Sequence, residues 1–208
     1  MKAILVSTRV DAHPDRRERR DALDQQLCRF VVACGFLPVL VPNVPETVDA
    51  LVTTVRPHAV LLSGGNDLAA LGGVAPERDV TESLMVDAAS RLRIPVVGIC
   101  RGMQFLMHRA GASLTRVDGH VSARHGIRGL VNREVNSYHS WAMTACPAGW
   151  DHGAVADDGS IELAACAARK HWGLMWHPER ESPMHSEDVA LVAGLLAGRG
   201  LPVAGGVS

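Results

Sequence analysis

The sequence predicts an α/β fold, a three-layer sandwich with a mostly parallel central sheet and a small antiparallel extension. Three observations carry this. Short apolar runs alternate with longer amphipathic stretches as far as Gly111. The runs at Lys2–Ser7, Leu37–Val41, Ala59–Ser63 and Pro95–Cys100 are continuously apolar or rich in β-branched residues, as strands covered on both faces of a parallel sheet are. After Thr115 the rhythm changes to short alternating segments, which suit antiparallel strands and turns.

The elements follow in chain order. Asp21–Gly35 places Leu23, Leu27, Phe30, Val31 and Cys34 on one helical face, and Gly35 is positioned to end it. The run Arg16-Arg17-Glu18-Arg19-Arg20 just before it reads as a solvated loop or helix entry, with a role in binding an anionic substrate as the alternative. Val48–Val55 is a short helix. Thr81–Leu92 carries Leu84, Met85, Ala88 and Leu92 at helical spacing and can start from an Asp79 or Thr81 cap. Gly102–Gly111 is the next helix, and the βαβαβ rhythm implies right-handed crossovers. Residues 118–130 read as a loop containing glycine and histidine. Alternating segments follow near 131–138, 142–145, 153–156, 161–167 and 172–176, with Asp158-Gly159 as a turn. Ser186–Leu196 is a final helix capped by Ser186, and residues 197–208 are expected to fray. With no repeat or low-complexity linker, the whole of 1–208 reads as one domain.

Composition narrows the function. The 208 residues are 47% hydrophobic and 21% charged, and 21 Lys and Arg against 22 Asp and Glu leave a net charge of −1. That balance gives no electrostatic case for a nucleic-acid or anionic-membrane partner. No apolar run approaches the ~20 residues that span a bilayer, and the first apolar stretch is too short for a signal peptide. The 5 cysteines, at 28, 34, 100, 146 and 166, are odd in number and lack C-x-x-C spacing. They therefore read as reduced thiols of a cytoplasmic protein rather than a disulfide framework or a cysteine zinc site. His120 and His125 have H-x4-H spacing but no evident third ligand, so neither metal nor cofactor is expected.

One of those thiols has a special context. In Pro95-Val96-Val97-Gly98-Ile99-Cys100-Arg101-Gly102-Met103-Gln104 a buried strand ends in G-x-C-x-G and a helix follows at once, the pattern of a nucleophile elbow. Cys100 would stand at a helix N-terminus, where the helix dipole favours the thiolate. The Arg101 N–H would face an oxyanion developing beside the sulfur. A cysteine nucleophile needs a base and a group to orient it. In Trp176-His177-Pro178-Glu179 an apolar strand delivers His177, Pro178 ends the strand, and Glu179 can fix the imidazole tautomer.

Together these segments resemble the class I glutamine amidotransferase-like superfamily, and more closely its gamma-glutamyl hydrolase branch, which includes gamma-glutamyl-gamma-aminobutyrate hydrolases. Four further segments carry the likeness: Leu62-Ser63-Gly64-Gly65-Asn66-Asp67-Leu68, Arg78-Asp79 with Glu82, Val135-Asn136-Ser137-Tyr138-His139, and Asp157-Asp158-Gly159-Ser160-Ile161-Glu162. The resemblance implies a flavodoxin-like sandwich and a Cys100–His177–Glu179 triad that cleaves a gamma-glutamyl amide through a thioester and releases glutamate. It also implies an oxyanion hole from the N–H groups of Gly65 and Arg101, and substrate contacts from Gln104, Asn136, Ser137 and His139. Arg78, Asp79 and Glu82 read most simply as a helix N-terminus with a capping box. Two alternatives accompany the hydrolase reading. One is a glutaminase subunit feeding ammonia to a partner synthase. The other, suggested by the short chain and the basic run, is hydrolysis of a gamma-glutamyl nucleotide phosphoramidate in capsule-sugar modification. Apart from such a synthase, a homodimer is the partner left open.

Overall fold

The computed structural model describes residues 1–201. The chain begins with strand β1 (Lys2–Ser7), a hairpin of β2 (Arg9–His13) and β3 (Glu18–Ala22), helix α1 (Gln25–Ala33) and β4 (Phe36–Val41). Then come α2 (Val48–Val55), β5 (Val60–Leu62), α3 (Pro76–Leu92), β6 (Val96–Ile99) and α4 (Arg101–Arg109). The second half holds β7 (Thr115–Arg116), β8 (Val121–Gly129), β9 (Arg133–Tyr138), β10 (Trp141–Ala142), β11 (Asp151–Ala156), β12 (Ile161–Cys166), β13 (His171–Leu174) and α5 (Ser186–Leu196).

Nine strands form one mixed sheet in the order β4-β1-β5-β6-β13-β12-β11-β8-β9. From β4 to β13 every pairing is parallel, and from β13 to β9 every pairing is antiparallel. Period-two alternation sends apolar side chains to both faces. Ile4, Val6, Leu61, Val97 and Ile99 pack with α1 and α5 through Phe30 and Leu195. Leu5, Val60, Leu62 and Val96 pack on the other face with α2, α3 and α4 through Val48, Met85 and Met107. The predicted three-layer α/β sandwich is thus present.

The structure differs from the sequence reading in several places. The basic run is neither a loop nor a helix entry but the turn and second strand of the β2–β3 hairpin, where Arg19 pairs with Glu77 and Arg20 with Glu18. Helix α1 starts later than expected because Asp24, whose side chain accepts from the Gln26 N–H at 2.9 Å, caps it. Helix α3 starts earlier, at Pro76, since proline suits the first helical turn and needs no N–H there. Asp79 and Glu82 are therefore inside the helix, not at a capping box. Finally, the expected loop 118–130 contains the nine-residue strand β8. Its polar, glycine-bearing sequence hides the pattern, because only Ile127 is buried, Ala123 and His125 are half-buried, and a register shift falls between Val121 and Ala123. At the C-terminus, α5 spans the expected residues with His185, not Ser186, as N-cap. Of the tail expected to fray, Leu201 packs on the core and residues 202–208 lie outside the described residues. Among the described residues no helix is long and apolar enough to cross a membrane.

Candidate active site

Cys100 follows β6 directly and has φ 51° and ψ −106°, a region that ordinary side chains avoid. Two glycines make that turn possible. A Cβ on Gly98 would lie 2.4 Å from the Gly102 backbone, and one on Gly102 would lie 2.3 Å from the Leu62 carbonyl oxygen. The elbow is thus wedged between β5 and the first turn of α4. The Cys100 N–H donates to the Leu174 carbonyl at 2.7 Å, which ties it to β13.

The same strand delivers the histidine. After β13, Met175 and Trp176 are fully buried, and His177 comes to rest with its ring against Cys100. His177 Nδ1 lies 2.6 Å from Glu179 Oε1. Burial alone would lower the imidazole pKa. The Cys100 sulfur on one side and the Glu179 carboxylate on the other outweigh that and raise it to about 10. Asn136 clamps the backbone at this point, since its side chain accepts from the His177 N–H at 2.9 Å and donates to the His177 carbonyl at 2.8 Å. The glycine turn after β5 closes the other side, for a Cβ on Gly64 would stand 2.6 Å from His177 Cε1.

Beneath that turn lies a buried ionic network. Arg78, fully buried, donates from its guanidinium to the carbonyls of Ser63 at 2.7 Å, Gly64 at 3.1 Å, and Gly65. Its Nε donates to Glu82 at 2.9 Å, and Glu82 also accepts from Ser7 at 2.8 Å and from Arg101. Burial pushes the Glu82 carboxyl up, but the two guanidiniums hold its pKa below the usual value. The Arg101 side chain reaches Asp79 as well. One network therefore fixes both the glycine turn and the residue after Cys100. Sequence reading left these residues at a helix cap. The signal for more was the i, i+4 spacing of Arg78 and Glu82 in a segment that turned out to be buried.

Two clefts of about 330 and 320 Å³ flank the Cys100–His177 pair. The larger is bounded by Gly64, Gly65, His177 and Glu179 with Arg9 and Arg180 at its rim. The smaller is bounded by Gly65, Cys100, Gln104, Tyr138, His139 and Trp141. Cys100, His177, Glu179, Gly65, Arg101, Gln104 and His139 thus gather at one place. Asn136 serves the His177 backbone instead, and Ser137 donates to the His120 carbonyl at 2.7 Å, so neither side chain opens on a cleft. Arg9 escaped sequence reading altogether, because nothing in the residues announced the β2–β3 hairpin that carries it.

A thiol held on a strained elbow, beside an imidazole and facing a glycine turn, is the arrangement of the glutamine amidotransferase-like hydrolases that cleave amides. The chain belongs to the Peptidase C26 family, whose profile matches residues 3–126 and 118–179. It is 28% identical over 130 residues to a gamma-glutamyl-CDP-amidate hydrolase of Campylobacter jejuni, a match over 62% of this chain and 65%, just under two thirds, of that protein. It is 33% identical over 158 residues to the pyocyanine-specific anthranilate synthase component 2 of Pseudomonas aeruginosa, over 68% of this chain and 78% of that one. A glutamine amidotransferase from Thermotoga maritima superposes with a TM-score of 0.63 over 93% of this chain and 82% of its own, at 13% identity, which speaks to fold alone.

Proposed function

We propose that the protein is a cysteine hydrolase that cleaves the gamma-glutamyl amide bond of a small gamma-glutamyl compound and releases glutamate. The observation that carries this is the alignment of Cys100, on its strained elbow, with His177 and Glu179, the last two 2.6 Å apart. Cys100 Sγ attacks the gamma-carbonyl carbon while His177 holds the thiol proton. The N–H groups of Gly65 and Arg101 stabilise the oxyanion. Collapse of the tetrahedral species breaks the C–N bond, and His177 gives its proton to the leaving nitrogen. Water, deprotonated by His177, then hydrolyses the thioester. Glu179 keeps the imidazole oriented and favours its charged form. Gln104, on the cleft wall beside Cys100, contacts the glutamyl head, while the buried His139 supports that wall from behind.

A second reading sharpens the substrate. Arg9 and Arg180 line the larger cleft, with side chains 49% and 35% exposed, but Arg9 is paired with Asp11 at 2.8 Å, and Asp24 and Glu179 line the same cleft, so its charges are balanced rather than positive. The narrower reading, a nucleotide phosphoramidate as the leaving group, therefore rests on the likeness to the Campylobacter enzyme. The deciding experiment is a glutamate-release screen over glutamine, gamma-glutamyl-aminobutyrate and a gamma-glutamyl nucleotide phosphoramidate, with Cys100→Ser as the control. Turnover of the phosphoramidate far above the neutral amides supports the narrower reading. Weak glutaminase activity that rises with a partner synthase would instead make the chain an ammonia-supplying subunit. Full activity in Cys100→Ser would overturn the mechanism.

A further inference from the structure

The cysteine mechanism leaves a second cluster unused. His120 precedes β8, His125 lies on it, His139 follows β9, and Glu162 lies on β12. We propose that His120, His125 and Glu162, with His139 as a fourth donor, form a binding site for a divalent transition-metal ion, zinc being the best match. Spacing in the sequence offered two histidines and no third ligand; folding brings in Glu162.

Three observations support the site. The first is distance. One donor atom from each of His120, His125 and Glu162 lies within 4.8 Å of the others. His125 Nε2 and His139 Nε2 each lie 3.4 Å from Glu162 Oε1, and His120 Nδ1 lies 3.3 Å from His139 Nε2. Tetrahedral zinc with bonds of about 2.0–2.1 Å sets neighbouring donors about 3.3–3.4 Å apart.

The second is unmet polarity. Glu162 is fully buried, the His125 and His139 Nε2 atoms approach its Oε1 only at a long 3.4 Å, and its Oε2 has no hydrogen-bond partner among the described residues. A shielded carboxylate compensated only by long, poorly aligned imidazole contacts is a costly arrangement for the protein alone. A cation shared by the lone pairs removes the cost.

The third is the outer support. His120 Nε2 lies 2.9 Å from Asp158 Oδ2, and Asp158 is itself held by the Ser160 N–H at 2.9 Å and the Ser160 hydroxyl at 3.0 Å. His139 Nδ1 lies 3.1 Å from the Trp141 carbonyl. These partners hold the His120 and His139 rings with their other nitrogens turned toward the cluster, as carboxylate and carbonyl partners do for metal-bound histidines.

The topology gives the ion a task. β11 stands between β12 and β8 in the sheet, yet it pairs with β8 only from Gly129 to Ile127. Beyond that the two strands have no ladder to join them, and the cluster spans the gap. His139 and Trp141 also line the cleft beside Cys100. The ion would therefore pin the wall of the pocket without touching the reacting bond.

The test uses Cys100→Ser protein, so that the reactive thiol cannot hold the metal. After EDTA treatment and dialysis it is titrated with Zn²⁺ against a chromophoric chelator. We expect one equivalent bound with a Kd below about 1 µM. Adding Glu162→Gln should weaken binding by more than the roughly 10-fold that follows loss of an outer partner. His125→Gln, at a part-exposed ring, gives the same readout should the first variant not fold. Co²⁺ in place of Zn²⁺ should give the visible absorption of a tetrahedral site. No stoichiometric binding by the folded Cys100→Ser protein would overturn the proposal, as would unchanged affinity in a folded Glu162→Gln or His125→Gln variant.

Discussion

Arg78→Met tests whether the buried network positions the reacting groups or merely fills space. Methionine keeps much of the volume but removes the guanidinium. The carbonyls of Ser63 and Gly64, bonded at 2.7 and 3.1 Å, and that of Gly65 lose their donor, and Glu82 loses one of its two guanidinium partners. Breaking a buried pair by removing one partner costs about 3–5 kcal/mol. Glu82 keeps Arg101 and Ser7, which pulls the electrostatic part down, while the stranded turn carbonyls add roughly 1 kcal/mol each. We therefore expect a loss of about 3–5 kcal/mol, or roughly 6–20 °C in Tm for a chain of this size. If the Gly65 N–H is an oxyanion donor, its misplacement should also lower kcat by about 10²-fold, with KM changing far less. Thermal and urea unfolding give the first number, and glutamate release assayed well below the lowered Tm gives the second. A stability loss under about 1 kcal/mol would refute the structural reasoning. Lost stability with an unchanged kcat would refute the link from this network to the glycine turn and catalysis.

Three further outcomes follow from the geometry. His177 has a folded pKa of about 10, above its usual value, so its contribution to stability is complete below about pH 6.5 and is lost as pH rises through about 10. Urea unfolding from pH 6 to 10 should show that decline, and Glu179→Gln should move it to lower pH; a flat profile would contradict the assignment. Iodoacetamide should label Cys100 before Cys28, Cys34 or Cys146, because burial pushes Cys34 up to about 12 and also raises Cys28 and Cys146; equal labelling of these thiols at mild alkaline pH would count against an activated Cys100. Gly102→Ala should abolish soluble, folded protein or cost several kcal/mol, since its Cβ would sit 2.3 Å from the Leu62 carbonyl oxygen; Gly126→Ala, with open space around its Cβ, should melt within about 1 °C of the parent. Equal behaviour of the two variants would refute the packing account of the elbow.

What the sequence revealed depended on how far local pattern mirrors tertiary environment. The parallel strands were legible because burial on both faces writes itself as an apolar run, and Val48–Val55 matched α2 for the same kind of reason. Cys100 and His177 were legible because an elbow between a strand and a helix demands glycines at fixed positions, and a strand ending in proline marks where a histidine can project. Asn136 and Arg78 were visible as motif members but not in their roles, since each acts on backbone far away in the chain. Asn136 meets His177 across 41 residues, and Arg78 meets Gly64 across 14. The strands β2, β3 and β8 were missed because they present mostly polar side chains outward and have one weakly buried face or none. Propensity and periodicity carry little signal in such a strand, and its pairing partner decides its conformation.

The β2–β3 hairpin and the segment that ends β9 are where substrate selectivity should reside. The reacting pair is set by one register, β6 beside β13 with Ile99 opposite Leu174, and the Cys100 N–H bonded to the Leu174 carbonyl locks it. A slip of one residue there would turn His177 to the wrong face, so this part of the site tolerates little variation. In the proposed reading the two clefts are lined partly by polar appendages: Arg9 from the β2–β3 hairpin, and Tyr138 and Trp141 from the segment that ends β9. Arg9 and Tyr138, both exposed, can change without disturbing the core, because they sit outside the two apolar layers. The proposed chemistry thus rests on the buried parallel strands, and selectivity would rest on the polar appendages. That division explains why apolar runs and glycine spacing announced the reaction class while no comparable pattern announced a leaving group.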